Sequence, residues 1–347
     1  TVLDDDLGEP TRVLCVKGSG WDLGDIRPAG LPAVRLDGLQ ALRRLDGLSD
    51  EGMVNAQRTR MLDASGPNPS VETLLHAFLP HKFIDHSHAD AILALADQPD
   101  GRDRVRDVFG GRFGVVDYVM PGFALAKRAA EVYEEDPDVE GLVLLQHGLF
   151  TFGETARESY ERHIRAVTEA EALTPPSGPG SAPPAERVDY TELAPVLRGL
   201  LGGSGSSRVL ALRTSETIRR FVDDPRVAEL SQRGVVTPDH VIRTKNLPML
   251  LSEEALGDRP SARGHVEARL SDYQDAYRGY VARQLAAKGV ERTPLDPDPR
   301  VVLVPGLGLI AAGAHARAAR IAADLYEHTI DVILAAEQIG RYQALPE

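Results

Sequence analysis

Apolar and polar residues alternate along this chain in short blocks, and the blocks predict strands and helices by turns. Arg12-Val13-Leu14-Cys15-Val16 reads as a strand that runs into the turn Lys17-Gly18-Ser19-Gly20. Leu39, Leu42, Leu45 and Leu48 recur at near-helical spacing, which predicts a mostly helical stretch over 36–61, with a helix-cap signal at Ser49-Asp50-Glu51. Pro67 and Pro69 break the chain before a helix predicted over 73–79, which Ser70 can cap. Three apolar runs then end on polar chemistry: Phe83-Ile84-Asp85-His86-Ser87-His88, Gly114-Val115-Val116-Asp117-Tyr118, and 139–146 leading to His147-Gly148. Helices are predicted over 123–135, ended by Pro137, and over 154–173. Strands that alternate with helices predict an α/β layered domain.

The proline- and glycine-rich stretch 174–184 can be neither helix nor sheet and reads as a semi-stiff linker. It divides the chain into a first domain over 1–173, a linker over 174–188 and a second α/β domain over 189–347. In the second part Arg208-Val209-Leu210-Ala211-Leu212 predicts a strand after Gly202-Gly203-Ser204-Gly205. The stretch 260–288 predicts a long helix, and Asp296-Pro297-Asp298-Pro299 a break. The two parts echo each other. The pattern from Val302-Leu303-Val304 through Gly308 and Gly313 to Tyr326-Glu327-His328 repeats that from Leu144-Leu145 through Gly148 and Gly153 to Tyr160-Glu161-Arg162, with Leu307 where the first has His147. Either the second part is a degenerate copy without a metal, or strand–glycine–helix units have converged on one pattern.

Composition narrows the class. The 347 residues are 42% hydrophobic and 26% charged, as in an ordinary globular protein, and the net charge is −13. That charge disfavours nucleic acid and anionic membrane, and it repels a phosphorylated substrate, so any phosphate must be held by local groups. Cys15 is the one cysteine and cannot form an internal disulfide. No apolar stretch approaches 18 residues and no signal peptide stands at Thr1, so a cytoplasmic setting is expected.

The chemistry concentrates at the ends of the apolar runs. In a strand, His86 and His88 project from the same side and can share a metal ion, at roughly 2.0–2.1 Å per nitrogen for zinc. His147 offers a third ligand and Glu72 an acid/base at the start of a helix. Each element also has a plainer reading: histidines satisfied by backbone, and a turn residue before a glycine. The glycines of Lys17-Gly18-Ser19-Gly20 let the backbone present N–H groups to an anion, or form a simple turn. Thr237-Pro238-Asp239-His240 and Arg243-Thr244-Lys245 read as substrate contacts or as a solvated turn capped by Asp239. His76, His81, His163, His265, His315 and His328 lack partners at ligand spacing and are assigned structural or surface roles.

Pro69-Ser70-Val71-Glu72, His86-Ser87-His88 and Gln146-His147-Gly148-Leu149 with Gly153 resemble, in order and spacing, the class II aldolase/adducin family. Val16-Lys17-Gly18-Ser19-Gly20-Trp21-Asp22-Leu23, the run from Pro69 through Leu79-Pro80, and Tyr118-Val119-Met120-Pro121-Gly122-Phe123 resemble the aldolase half of bifunctional rhamnulose-1-phosphate aldolase/short-chain dehydrogenases. The resemblance covers most of the chain. It implies a central, largely antiparallel sheet between helix layers, one zinc ion per chain on His86, His88 and His147, and Glu72 as acid/base. It implies Gly18, Ser19, Gly20 and Ser70 at the substrate phosphate, held by the amides of the loop, with Lys17 only adjacent and Tyr118 near the site. A second family serine is Val71 here, and the family's glycine-rich segment before the first strand has no counterpart, so the chain is expected to be a fragment. The implied reaction is cleavage of a ketose 1-phosphate, such as L-rhamnulose 1-phosphate, to dihydroxyacetone phosphate and lactaldehyde, in a homo-oligomer. Gln343-Ala344-Leu345-Pro346-Glu347 reads like a junction to a dehydrogenase domain. A sugar-phosphate 4-epimerase and a non-catalytic adducin-like scaffold are the alternatives.

Overall fold

The computed structural model describes residues 1–174, 187–202, 207–256 and 259–346. The predicted linker falls almost wholly outside them, as does most of Gly202-Gly203-Ser204-Gly205. Two compact units emerge, Thr1–Ile92 with Asp100–Ala170, and Leu93–Pro99 with Glu171–Glu347.

The first unit opens with a small antiparallel sheet, β1 (Val2–Asp4), β2 (Pro10–Cys15) and β3 (Ala33–Arg35). The helical stretch expected over 36–61 is broken in two, Leu36–Ala41 and Asp50–Arg58, because Leu45 turns extended ahead of Asp46 and Gly47. Ser49 caps the second helix, its Oγ accepting from Gly52 N at 3.1 Å. The main sheet holds β4 (Phe83–Ser87), β5 (Phe113–Val116), β6 (Gly141–Leu144) and β7 (Gly148–Gly153) in the order β4-β7-β6-β5. The β5–β6 pair is parallel and the other pairs are antiparallel, so the sheet is largely antiparallel as expected.

Strands β6 and β7 are buried along their whole length, as residues covered on both faces must be. Leu142, Leu144, Phe150 and Phe152 pack with Leu74, Leu75 and Phe78 of the helix Thr73–Phe78 and with Phe123, Ala126 and Ala130 of Phe123–Glu135. Thr151, on the opposite face, hydrogen-bonds to His163 of the helix Ala156–Glu171.

In the second unit β8 (Val209–Arg213), β9 (Met249–Leu250), β10 (Val301–Val304) and β11 (Gly308–Gly313) form a sheet in the order β8-β11-β10-β9. Its strand directions repeat those of the first sheet, including one parallel pair at the edge. Four residues of strand, a three-residue turn and six residues of strand recur in both hairpins. A Cβ at Gly148 would strike Ser87 O, and one at Gly308 would strike Arg213 O. The echo therefore extends from the hairpin to the whole sheet. In register, His86 faces Phe150 and Leu212 faces Ile310, so Leu212-Arg213-Thr214 stands where His86-Ser87-His88 stands in the first unit. No helix among the described residues is long and apolar enough to cross a membrane.

Candidate metal centre

The sheet register collects the candidate residues at one edge. Ser87 pairs with Leu149, Leu144 with Gly148 and Val116 with Leu144, so the ends of β4, β5 and β6 meet the start of β7. His86 lies within β4 and His88 just beyond it. His147 closes the turn between β6 and β7, with Gln146 held at φ 58°, a left-handed conformation that a non-glycine residue rarely adopts. His147 N donates to Leu144 O at 3.2 Å and Leu145 N to Val116 O at 2.9 Å, which fixes that turn against β5. Glu72 immediately precedes the helix Thr73–Phe78. Its N–H donates to Ser70 Oγ at 3.3 Å, and the Thr73 hydroxyl donates to Ser70 O at 2.6 Å.

One ligand-capable atom from each of Glu72, His86, His88 and His147 lies within 4.8 Å of all the others. Glu72 Oε1 is 2.7 Å from His147 Nε2 and 3.1 Å from His86 Nε2, and His86 Nε2 is 3.1 Å from His88 Nε2. His86 donates from Nδ1 to Leu149 O at 2.9 Å. Its Nε2 therefore faces the cluster, where it holds either a proton shared with Glu72 or a metal ion. The His86 ring is also stacked on Phe150 at 3.9 Å and 13°. Gly148 lets the rings close in: a Cβ there would sit 2.9 Å from the His88 ring and 3.2 Å from the His86 ring.

Three imidazole nitrogens and one carboxylate oxygen suit a divalent transition metal. Tetrahedral zinc would set its ligands about 3.3–3.4 Å apart, close to the spacings seen. His147 Nδ1 is buried without a hydrogen-bond partner among the described residues, so all the polar contact of that ring passes through Nε2 toward the cluster. The residues fit the metal. Burial pushes the Glu72 carboxyl up, but attraction to His86 and hydrogen bonds from His147 and His86 outweigh it and hold it well below the usual carboxylate range. Glu72 is thus an ionised carboxylate within hydrogen-bond distance of two of the imidazoles.

Behind the cluster, His163 makes contacts that its sequence position did not reveal. Its Nδ1 is 3.0 Å from Thr151 Oγ1, which itself donates to Ser159 O at 3.1 Å. His163 therefore carries its proton on Nδ1, and Nε2 accepts from the Ser87 hydroxyl at 2.6 Å. Burial pushes His163 down to about 4, so it stays neutral. Ser87 lies between two ligands, so this chain ties β4, β7 and the helix Ala156–Glu171 together from the opposite face. Strand alternation alone put Ser87 on that face; its partner, 76 residues away, leaves no local signal.

The expected phosphate loop needs correction. Gly18 N donates to Gly30 O and Ser19 N to Asn68 O, each at 2.7 Å, so two of the three amides assigned to an anion are already taken by backbone. The loop is nevertheless brought beside Ser70, whose N–H donates to the Lys17 carbonyl at 3.1 Å. The Ser19 side chain is exposed, Gly20 sits at φ 83°, and Ser70 is half-buried. Tyr118 is half-buried two residues past β5, at the same sheet edge as His147. The second polar pair is not a solvated turn. The helix Pro238–Thr244 buries His240, whose Nδ1 meets Thr329 Oγ1 at 3.0 Å, and Lys245 Nζ lies 3.7 Å over the Tyr277 ring.

Comparisons with known proteins agree with this arrangement. The class II aldolase and adducin N-terminal domain matches residues 2–174, and the class II aldolase second domain matches residues 188–347. The chain is 31% identical over its whole length to the uncharacterized oxidoreductase YuxG of Bacillus subtilis (strain 168). It spans about half, 52%, of the length of that relative. Among solved structures, the N-terminal class II aldolase domain of a conserved Thermoplasma acidophilum protein is 42% identical, with 50% of this chain and 80% of that one covered and a TM-score of 0.47. YgbL from Klebsiella pneumoniae is 20% identical, with 48% and 75% covered and a TM-score of 0.34. YuxG bears the name of an oxidoreductase, so the comparison carries no substrate. With both halves of the chain matched by class II aldolase domains, the chain belongs to the class II aldolase/adducin family.

Proposed function

We propose that the protein is a zinc-dependent aldolase that cleaves a ketose 1-phosphate of the rhamnulose 1-phosphate kind to dihydroxyacetone phosphate and a small aldehyde such as lactaldehyde. The observation that carries this reading is the convergence of His86, His88, His147 and ionised Glu72 at one sheet edge. Bound there, a zinc ion supplies Lewis-acid stabilisation of the negative charge that develops on the substrate oxygens as the C–C bond breaks. His86, fixed by Leu149 O and Phe150, and His147, fixed by its turn, hold the position without adding charge of their own. Glu72 moves the proton at the carbon left electron-rich by the cleavage, taking it off in the condensation direction. Ser70, two residues before Glu72, and Ser19, brought near Ser70 by the Ser70 N–H donating to Lys17 O, are the hydroxyls available to the phosphate.

The test is product analysis with L-rhamnulose 1-phosphate and zinc-loaded protein. Equimolar aldehyde and dihydroxyacetone phosphate are expected, and both should vanish in His147→Ala. Conversion to a second ketose phosphate without aldehyde would make the protein an epimerase, and inertness toward all ketose 1-phosphates with zinc bound would remove the aldolase reading.

A further inference from the structure

A cluster of guanidinium groups and carboxylates lies in the first unit, built from residues with no part in the candidate metal centre. A cavity of about 510 Å³ is lined by Thr11, Arg12, Arg35, Asp37, Gly38, Thr59 and Arg60. Its walls are β2, β3, the helix Leu36–Ala41 and the residues just after the helix Asp50–Arg58, with Arg35 N donating to Arg60 O at 2.9 Å. Three guanidinium groups gather here in a chain of net charge −13.

Their partners are unequal. Arg12 meets Asp37 at 2.7 Å, both largely exposed, and Arg35 meets Asp5 at 3.0 Å and Asp6 at 3.4 Å. Arg60 has no carboxylate partner among the described residues. Its Nη1 donates to Ala56 O at 2.9 Å and lies 3.5 Å from Thr59 Oγ1. A Cβ on Gly38 would lie 2.8 Å from Arg60 Nε, so the glycine is what lets this guanidinium lie flat along the wall. A planar, permanently charged group that is fixed by neutral oxygens and left without a counter-ion is suited to bidentate contact with a phosphate. The Thr11 and Thr59 hydroxyls can add donors, and the volume suits a small metabolite. Neither Ser70 nor any residue of the loop Lys17-Gly18-Ser19-Gly20 is among the residues lining the cavity.

We propose that this cavity binds a phosphorylated small molecule, with Arg60 as the principal contact and Arg12 and Arg35 flanking it. The inference does not depend on the aldolase reading.

The experiment titrates the zinc-loaded protein with inorganic phosphate at constant ionic strength, followed by ³¹P line broadening. Saturable binding is expected to persist in a His86→Ala, Ser70→Ala double variant, which empties the substrate site. It should weaken about tenfold or more in Arg60→Gln, which keeps a stem against Gly38 while removing the charge. Melting curves in phosphate-free buffer confirm that each variant is folded. Binding that survives Arg60→Gln undiminished, that disappears with the double variant, or that is absent from the wild type would overturn the proposal.

Discussion

Glu72 is the residue on which the chemistry turns, because one carboxylate oxygen touches two of the three imidazoles. If it carries the proton, Glu72→Gln keeps the metal, since the amide is nearly isosteric, and loses roughly 10²–10⁴-fold in rate. Exchange of a dihydroxyacetone phosphate proton with deuterated water, with no aldehyde present, isolates that step. The expected result is lost exchange at unchanged zinc content. Loss of zinc would make Glu72 a ligand and turn attention to Tyr118. Asp97 gives a pH-dependent case in the second unit. It is fully buried, neither carboxylate oxygen has a partner among the described residues, and burial pushes its carboxyl well above the usual range. A raised folded-state value means that its contribution to stability is intact below the unfolded value and is lost as pH rises toward the folded one. Asp97→Asn should therefore raise the melting temperature more at pH 8 than at pH 4. An equal change at both would show that the Asp97 carboxyl titrates alike in the folded and unfolded chains, against the burial effect.

At the scale of elements, the strands that deliver ligands were legible because each ends an apolar run on histidine. The Glu72 helix was legible from the prolines before it. The interrupted helix after β3 was not, since the leucine spacing runs straight through Leu45 and only Gly47 hints at the break. The loop at Gly18 was legible as a turn, but the fate of its amides was not, because Gly30 and Asn68 reach it from elsewhere in the chain. With those amides taken, Ser70 matters more. Ser70→Ala should raise KM for a ketose 1-phosphate more than for the unphosphorylated sugar. Equal rises would reduce Ser70 to its hydrogen bond with Glu72 N.

Across the whole molecule, the repeated sheet accounts for a candidate metal cluster in the first unit whose histidines have no counterparts in the second. Leu212, Thr214 and Leu307 replace the three histidines. Around the matching turn, Asp223 Oδ1 accepts from Gly306 N at 2.7 Å, while Arg187 bridges Asp223 at 3.0 Å and Glu253 at 2.5 Å. An ion-pair lattice thus braces the turn whose counterpart in the first unit carries His147. Elemental analysis should find one zinc per chain, removed by His86→Ala. A second ion that survives this change would mean that the copy kept a site of its own. The hairpin echo was visible in sequence because glycines at fixed spacing are required by close backbone approach. The sheet order was not, since strand pairing across 209–313 leaves no local pattern.

The parallel pair at the edge of the first sheet has a consequence for how the protein is made. Strand β6 can lie beside β5 only after the connection holding the helix Phe123–Glu135 has crossed the sheet, whereas β4 already carries His86 with His88 next to it. A nascent or half-folded chain therefore offers a metal two imidazoles on one short segment, a loose chelate that exchanges freely. The third imidazole arrives only when β7, which follows His147, pairs with β4, and closing that long loop is slow compared with local structure. Retention of an ion by all three imidazoles would thus report that β4 and β7 have paired in their native register.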